Sequence, residues 1–368
     1  MGQARHIAIA GGGIIGLACA LVLRGRGLEV TVLEAGEAAK EASWAAGGML
    51  AVEDPENPPA LLSFSRYSRN LYNEFLREIE ALSGQRVRLR THQAIQVFER
   101  GGEHRRGAPG GTLLSRDAAR RLVPGLTDAA HSYLLLEEAS LDPRELCAVL
   151  FSAVLAAGAV VREHERVLST EPDGDGILVS TAHGILRADG FVNCCGAWAS
   201  SLNTSAGVVP SKGQMLVIAQ PAQMPLARVL RSPDVYLIPR GDHRIVIGAT
   251  VEHAGYSKQV ERETLVLLRR RAAALWEPAG EAPQIDSWAG LRPGTADSLP
   301  VIGRYEGDSD LQFLATGHFR NGILLAPGTA NVMADLICGI APAIDLAPFA
   351  PHRASISVGC DNRFAAAL

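Results

Sequence analysis

The sequence predicts an α/β fold in two lobes: a Rossmann-like βαβ domain for a dinucleotide, and a second α+β domain built on an antiparallel sheet. Three observations carry this reading. The chain opens on "HIAIAGGGIIGLACALVL" and "EVTVLEAG", which read as an apolar strand, a glycine turn, an amphipathic helix and a second strand. Residues 212 to 252 hold strand-like runs instead, "KGQMLVIAQ", "VYLIPR" and "RIVIGATV", joined by turns such as Gly241-Asp242-His243. The length, 368 residues at 47% hydrophobic content, exceeds one ordinary core.

In the first unit, Gly11, Gly13 and Gly16 form G-x-G-x-x-G directly after a strand. Glycines there let the backbone turn tightly, approach a pyrophosphate and pack the helix on the sheet, with the helix N-terminal amides facing the anion. Glu34 ends the next strand, where a carboxylate accepts ribose hydroxyls and repels a 2′-phosphate. The following "EASWAAGGML" offers Ser43 for phosphate, and small residues at Ala45, Ala46, Gly47 and Gly48 where the backbone passes close to something flat. Helical pattern runs from about Phe64 to Leu82, and the charged, glycine-rich 101–111 reads as a solvated surface excursion.

A second αβ unit begins at "LDPRELCAVLFSAVLAAGAVV", with Asp142 as cap, Pro143 in the first turn and Gly158 as terminator. The strand "GFVNCCGAW" leads to another close backbone approach at Gly196. After the antiparallel runs come a helix from about Gln259 to Trp276, then "WAGLRPGTADSLPVIG" and "ATGHFRNGILLAPGTA". The last places one cation, Arg320, in an apolar, glycine-punctuated run ahead of a helix. We expect a discontinuous nucleotide domain (1–85, 139–210, 290–350), a substrate domain (86–138, 211–289) and a partly disordered tail (351–368).

Composition narrows the partners. The 35 lysines and arginines are scattered among 39 acids, so no footprint for nucleic acid or an anionic membrane appears, and small molecules are expected instead. No stretch reads as a membrane span or a signal peptide. Six cysteines show neither metal nor disulfide spacing, and Cys194 and Cys195 are adjacent, which suits a reducing cytoplasm.

Five stretches in order, "SWAAGGML", "KGQMLVI", "YLIPR…RIVIGATVE", "WAGLRPGTADSLPVIGR" and "ATGHFRNGILLAPGTA", resemble the glycine oxidases of bacterial thiazole (thiamine) biosynthesis, within the D-amino-acid oxidase family. The likeness runs from about residue 5 to 340. It implies non-covalent FAD, hydride transfer from a small amine to flavin N5, molecular oxygen as acceptor, hydrogen peroxide as by-product and a homo-oligomer, commonly a tetramer. Related sarcosine oxidases tether their flavin through a cysteine; Gly290 stands at that place here. Carried across, FAD contacts fall at Ile14, Ile15, Glu34, Ala35, Ala42, Ser43, Gly47, Gly48, Met49 and Val167, completed by Gly317, His318, Phe319, Asn321, Gly322 and Ile323. Substrate positions fall at Tyr236, Arg292 and Arg320.

An arginine in apolar sequence is ordinarily a snorkelling side chain or half of a structural ion pair. Arg292, between Gly290 and Pro293-Gly294, is expected instead to grip a substrate carboxylate with its planar fork, and Tyr236 to reach the other carboxylate oxygen. The amides of Asn321 to Ile323, at a helix N-terminus, would stabilise a reduced, anionic flavin. His318 reads as a structural or cofactor-tuning residue. The chain departs from the family at Gly47 and Gly328, where relatives carry alanine, and at Asp234, where a glycine oxidase can have histidine. Gly47 suggests extra room for a bulkier or N-substituted amine. Two alternatives stay open: an amino-acid dehydrogenase with a non-oxygen acceptor, and a D-amino-acid oxidase.

Overall fold

A computed structural model describes residues 5–99, 110–127, 131–203, 206–305 and 310–353. The nucleotide lobe is built on a six-stranded sheet in the order Val301–Arg304, Gln312–Thr316, Gly190–Asn193, His6–Ala10, Glu29–Leu33 and Val160–Arg162. All neighbours are parallel except the pair at the Val301 edge. Alternation along the first strand sorts its two faces. Ile7 and Ile9 enter a core shared with helices Ile14–Gly25, Leu62–Ser83, Pro143–Ala156 and Gly322–Ile337, while Ala8 and Ala10 pack under a three-stranded meander, Val167–Ala188. A sheet covered on both faces accepts the continuous apolar runs that the sequence shows.

Local signals set the helix ends. The Asp142 carboxylate accepts the Arg144 N–H at 2.9 Å, Pro143 occupies the first turn, and Gly158 takes φ +83° after the last one. The helix Gly322–Ile337 carries Pro327 in its interior, which leaves the Ile323 carbonyl without its usual donor. The Tyr72 hydroxyl supplies that bond at 2.9 Å. One turn along, Ser68 Oγ donates to the Leu324 carbonyl at 2.7 Å and accepts the Gly328 N–H at 2.9 Å. Gly328 is where the two helices touch: a Cβ there would lie 2.8 Å from Phe64 and Ser68.

The second lobe is an eight-stranded sheet in the order Gln284–Gly294, Val209–Ala219, Arg244–Gly248, Tyr236–Pro239, Val229–Arg231, Ala94–Glu99, His131–Leu136 and Thr112–Leu114. One face, with Ile95, Leu216, Leu237 and Ile247, packs on the helix Arg262–Leu275 and Trp276. The other, with Met215, Val217, Ile238 and Trp288, turns toward Ala45 of the nucleotide lobe. The longest pairing joins Val209↔Gly294 through Leu216↔Ser287, so the divisions expected at 210/211 and 289/290 fall inside two strands bonded to each other. The chain crosses back to the six-stranded sheet only beyond Gly294.

The start of the expected tail is anchored. Arg353 bonds Asp297 at 2.7 and 3.0 Å and the Leu299 carbonyl at 2.9 Å, and just before the tail Phe349 packs on Phe64. Residues 354–368, and 101–109 of the expected surface excursion, lie outside the described residues. No helix among the described residues is long and apolar enough to cross a membrane.

Candidate active site

The turn after the first strand can be made only by glycine. Gly11 has φ +102°, and a Cβ on it would stand 2.4 Å from the Cys194 carbonyl oxygen; one on Gly16 would stand 2.0 Å from the Gly11 carbonyl. The helix that follows starts at Ile14 with no side-chain cap on Gly13 and no acid in its first turn, leaving amides for an anion. One of them is already engaged: Ser43 Oγ accepts the Ile14 N–H at 2.9 Å, which leaves the serine O–H to donate. Glu34 is fixed by the turn it serves. Its two carboxylate oxygens accept the Gly12 and Gly36 N–H groups at 2.7 and 2.8 Å, and each keeps a lone pair for a ribose hydroxyl.

From this end a cavity of about 500 Å³ runs between the lobes. Ala35, Ala42, Val167 and Gly196 line it near Glu34, and Gly47, Gly48 and Met49 line it along the crossing. Gly48, at φ +80°, passes so close to the Leu141 carbonyl that a Cβ would lie 2.1 Å away. The segment 42–46 is clamped from both lobes. Trp288 Nε1 donates to the Ala45 carbonyl at 3.1 Å, and the Arg144 guanidinium lies 3.5 Å from the Trp44 ring centre and 4.2 Å from that of Trp288.

At the far end stand Tyr236 and Arg292. Two glycines make room for them: a Cβ on Gly248 would lie 2.7 Å from the Tyr236 ring, and one on Gly213 would lie 2.3 Å from Arg292 Nη1. Arg292 donates from Nη1 to the Thr250 carbonyl at 3.0 Å and lies beside the Tyr236 side chain. Burial holds its pKa below the usual arginine value; Tyr236 opposes that shift and Arg320 adds to it. Among the described residues no carboxylate forms an ion pair with Arg292, so its charge remains to be answered. Arg320 differs. It stands partly in solvent with Asp54 at 3.8 Å.

The stretch 317–323 closes the same end. Phe319 adopts φ +47° and donates its N–H to the Pro293 carbonyl at 2.9 Å, and Asn321 pairs its side-chain amide with that of Asn57. No side chain caps the helix that starts at Gly322, so its first amides, at Gly322 and Ile323, point their partial positive charge at the cavity. His318 is buried and neutral. Burial drives its pKa down to about 3, and Nε2 meets Thr329 Oγ1 at 3.0 Å.

Every sequence-expected site residue lines this cavity except Gly16 and Gly317. Gly16 takes the helix-packing place expected within the motif, and Gly317 stands just outside the lining. Gly16 lies behind the turn against the Gly11 carbonyl, and Gly317 makes a φ +72° bend where a Cβ would lie 2.8 Å from Thr295. The extra room expected at Gly47 is corrected: a Cβ there would lie 3.0 Å from Ile238 and 3.5 Å from Tyr236, so those side chains occupy the space. Sequence reading missed Gly213, although a glycine inside a strand pattern signals close approach. It also missed Arg231 on the cavity wall, which pairs with buried Glu138 at 2.9 Å; nothing local marks that pair.

Residues 6–336 match the family described as DAO, FAD dependent oxidoreductase. The chain belongs to that family. It is 32% identical over 365 residues to a glycine oxidase of Pseudomonas aeruginosa, covering 95% of this chain and 99% of the relative. It is 35% identical to the bifunctional protein ThiO/ThiG of Synechocystis, of which it spans 54%. The crystal structure of glycine oxidase from Geobacillus kaustophilus superposes with a TM-score of 0.89 at 30% identity, over 97% of this chain and 100% of that one. The residues present suit the family's FAD: a glycine-only turn with free amides, an acid for the ribose, and a cradle along 47–49 that side chains would fill. Gly290 accords with non-covalent binding, because a Cβ there would lie 2.4 Å from the Ala45 Cβ.

Proposed function

We propose that this chain catalyses the oxidative deamination of glycine or a small amino acid, N-substituted or not, releasing glyoxylate or a keto acid, ammonia or an amine, and hydrogen peroxide. The observation that carries the reading is Arg292: a guanidinium beside Tyr236, facing the cavity, without a carboxylate partner among the described residues. Its fork takes one substrate carboxylate oxygen or both, and the Tyr236 hydroxyl reaches the remaining lone pairs. Bound FAD supplies the two-electron acceptor from which oxygen is reduced to peroxide.

The chain's own part is orientation and electrostatics. Thr250 fixes the Arg292 fork, and Arg292 and Tyr236 together set the carboxylate so that the adjacent carbon faces the cofactor end of the cavity. The amides at Gly322 and Ile323 favour negative charge beside them. Neutral His318, bonded to Thr329, is unsuited to proton abstraction. The amine is therefore oxidised as its neutral form, whose nitrogen lone pair assists departure of the α-hydride. Arg320 screens the mouth of the cavity with Asp54 and secures the substrate less firmly than Arg292. A cytoplasmic homo-oligomer belongs to the same reading, checked by fractionation and light scattering.

Glycine should bleach the yellow holoenzyme under nitrogen and yield peroxide under air. Arg292→Leu should raise KM by an amount equivalent to about 2–5 kcal/mol while FAD stays bound; an unchanged KM would reject the assignment. Bleaching without peroxide would point to a dehydrogenase. Turnover of D-alanine with none of glycine, sarcosine or N-ethylglycine would point to a D-amino-acid oxidase.

A further inference from the structure

Behind Arg292 lies a cluster of charge that the proposed chemistry does not use. Lys212, in the strand bonded to the one that carries Arg292, is fully buried. A buried ammonium is costly unless it is paired. Its Nζ lies 3.2 Å from Glu252 Oε2 and 3.0 Å from Glu261 Oε1. Burial lowers its pKa, but the two carboxylates more than offset that and hold it above the ordinary lysine value.

Glu252 is held from several sides. Gln214 Nε2 donates to its two oxygens at 3.1 and 3.2 Å, the Thr250 hydroxyl donates to Oε1, and the backbones of Lys212 and Glu252 exchange N–H···O bonds at 3.0 and 2.9 Å. The Thr250 hydroxyl also accepts the Gln214 N–H at 2.9 Å. From Thr250 the path continues to the site: its carbonyl accepts Arg292 Nη1, and Ala249 and Val251 on either side line the cavity. Glu252 acts on Arg292 through its field as well. It is thus a carboxylate that could answer Arg292 in place of a ligand.

We propose that Lys212 is a positioning residue: by pairing with Glu252 it holds that carboxylate off Arg292 and keeps the guanidinium available to a substrate carboxylate. The inference rests on the reading of Arg292 as the carboxylate anchor. Remove Lys212, and Glu252 is left with excess charge beside the cation that the site needs free.

The test is titration of the FAD-loaded enzyme with acetate, a carboxylate without an amine, followed by perturbation of the flavin absorbance and paired with steady-state kinetics on glycine. Lys212→Met should raise the acetate Kd and the glycine KM about ten-fold, with kcat and FAD content little changed. Adding Glu252→Gln to Lys212→Met should restore acetate binding, because the competing charge is gone; lost packing alone would not be rescued this way. An acetate Kd unchanged by Lys212→Met, or a double variant as weak as the single one, overturns the proposal. If Lys212→Met does not fold, Thr250→Val removes the hydroxyl bond to Glu252 from the residue whose carbonyl holds Arg292, and unchanged acetate binding there overturns it equally. Arg292→Leu separates the two readings: acetate binding that survives it rejects the anchor itself.

Discussion

At Gly213 a missing side chain decides where a charge can lie. The Arg292 guanidinium rests across the backbone of the neighbouring strand, within 2.3–2.6 Å of where a Gly213 Cβ would be. Gly213→Ala should displace the fork and raise the KM for glycine about 100-fold, while the flavin spectrum of the bound cofactor is retained. Steady-state kinetics on the loaded variant would check it, and an unchanged KM would show that the fork has another resting place. The same logic holds at Gly248 beneath the Tyr236 ring. Arg292 and Tyr236 were legible in the sequence by resemblance. The glycines beneath them were visible only as letters within strand runs, because a close approach is a property of two strands and neither one alone reports it.

Helix ends and helix contacts show how whole elements are placed. Where the chain carries the determinant locally, it was readable: the Asp142 cap, Pro143 and the left-handed Gly158 all stand where their residue types predict. Pro327 inside Gly322–Ile337 is different, since its cost is met by a partner far away in sequence. Tyr72, on Leu62–Ser83, gives its hydroxyl proton to the Ile323 carbonyl that the proline leaves free. Tyr72→Phe should therefore destabilise the fold by about 1–3 kcal/mol, because a buried acceptor loses its donor. Urea unfolding would measure this, and a midpoint shifted by less than the fitting error would mean that the carbonyl finds another partner. The helix start at Gly322 lies one residue before Ile323, so activity should also respond to loss of this contact.

Across the whole molecule, cations tie the lobes alongside the apolar cluster that joins Ala45 to Met215 and Trp288. Arg144 of the nucleotide lobe lies against Trp44 and Trp288, and Arg240 of the other lobe donates to the Leu141 carbonyl at 2.6 Å and to the Ala46 carbonyl at 3.4 Å. Burial lowers the Arg240 pKa to about 10, which leaves it charged at neutral pH. The buried imidazole at the cavity wall sets a pH limit on this assembly. Folding drives the His318 pKa down from 6.5 to about 3, so the unfolded chain binds the extra proton. The stability due to neutral His318 is complete above about pH 6.5 and is lost as pH falls toward about 3. Replacing His318 with Gln should flatten the fall of the urea midpoint between pH 7 and pH 4.5 relative to the parent. An identical slope in both proteins would place the acid sensitivity elsewhere.

By itself the sequence determined the two sheet types, the glycine turn with Glu34, the helix caps and, through resemblance, the family with its arginine and tyrosine. These are settled by residues close together in the chain or by a pattern in a fixed order. Only the tertiary structure decided which arginine is free, since Arg320 meets Asp54 and Arg292 meets no carboxylate among the described residues. It alone placed Gly16 and Gly317 outside the cavity lining, filled the space beside Gly47 with Ile238 and Tyr236, and set Lys212 against Glu252 behind the anchor. The physical reason is common to all of these. Burial, close approach and charge pairing join residues tens to hundreds of positions apart, and their energies depend on distances that no stretch of sequence contains.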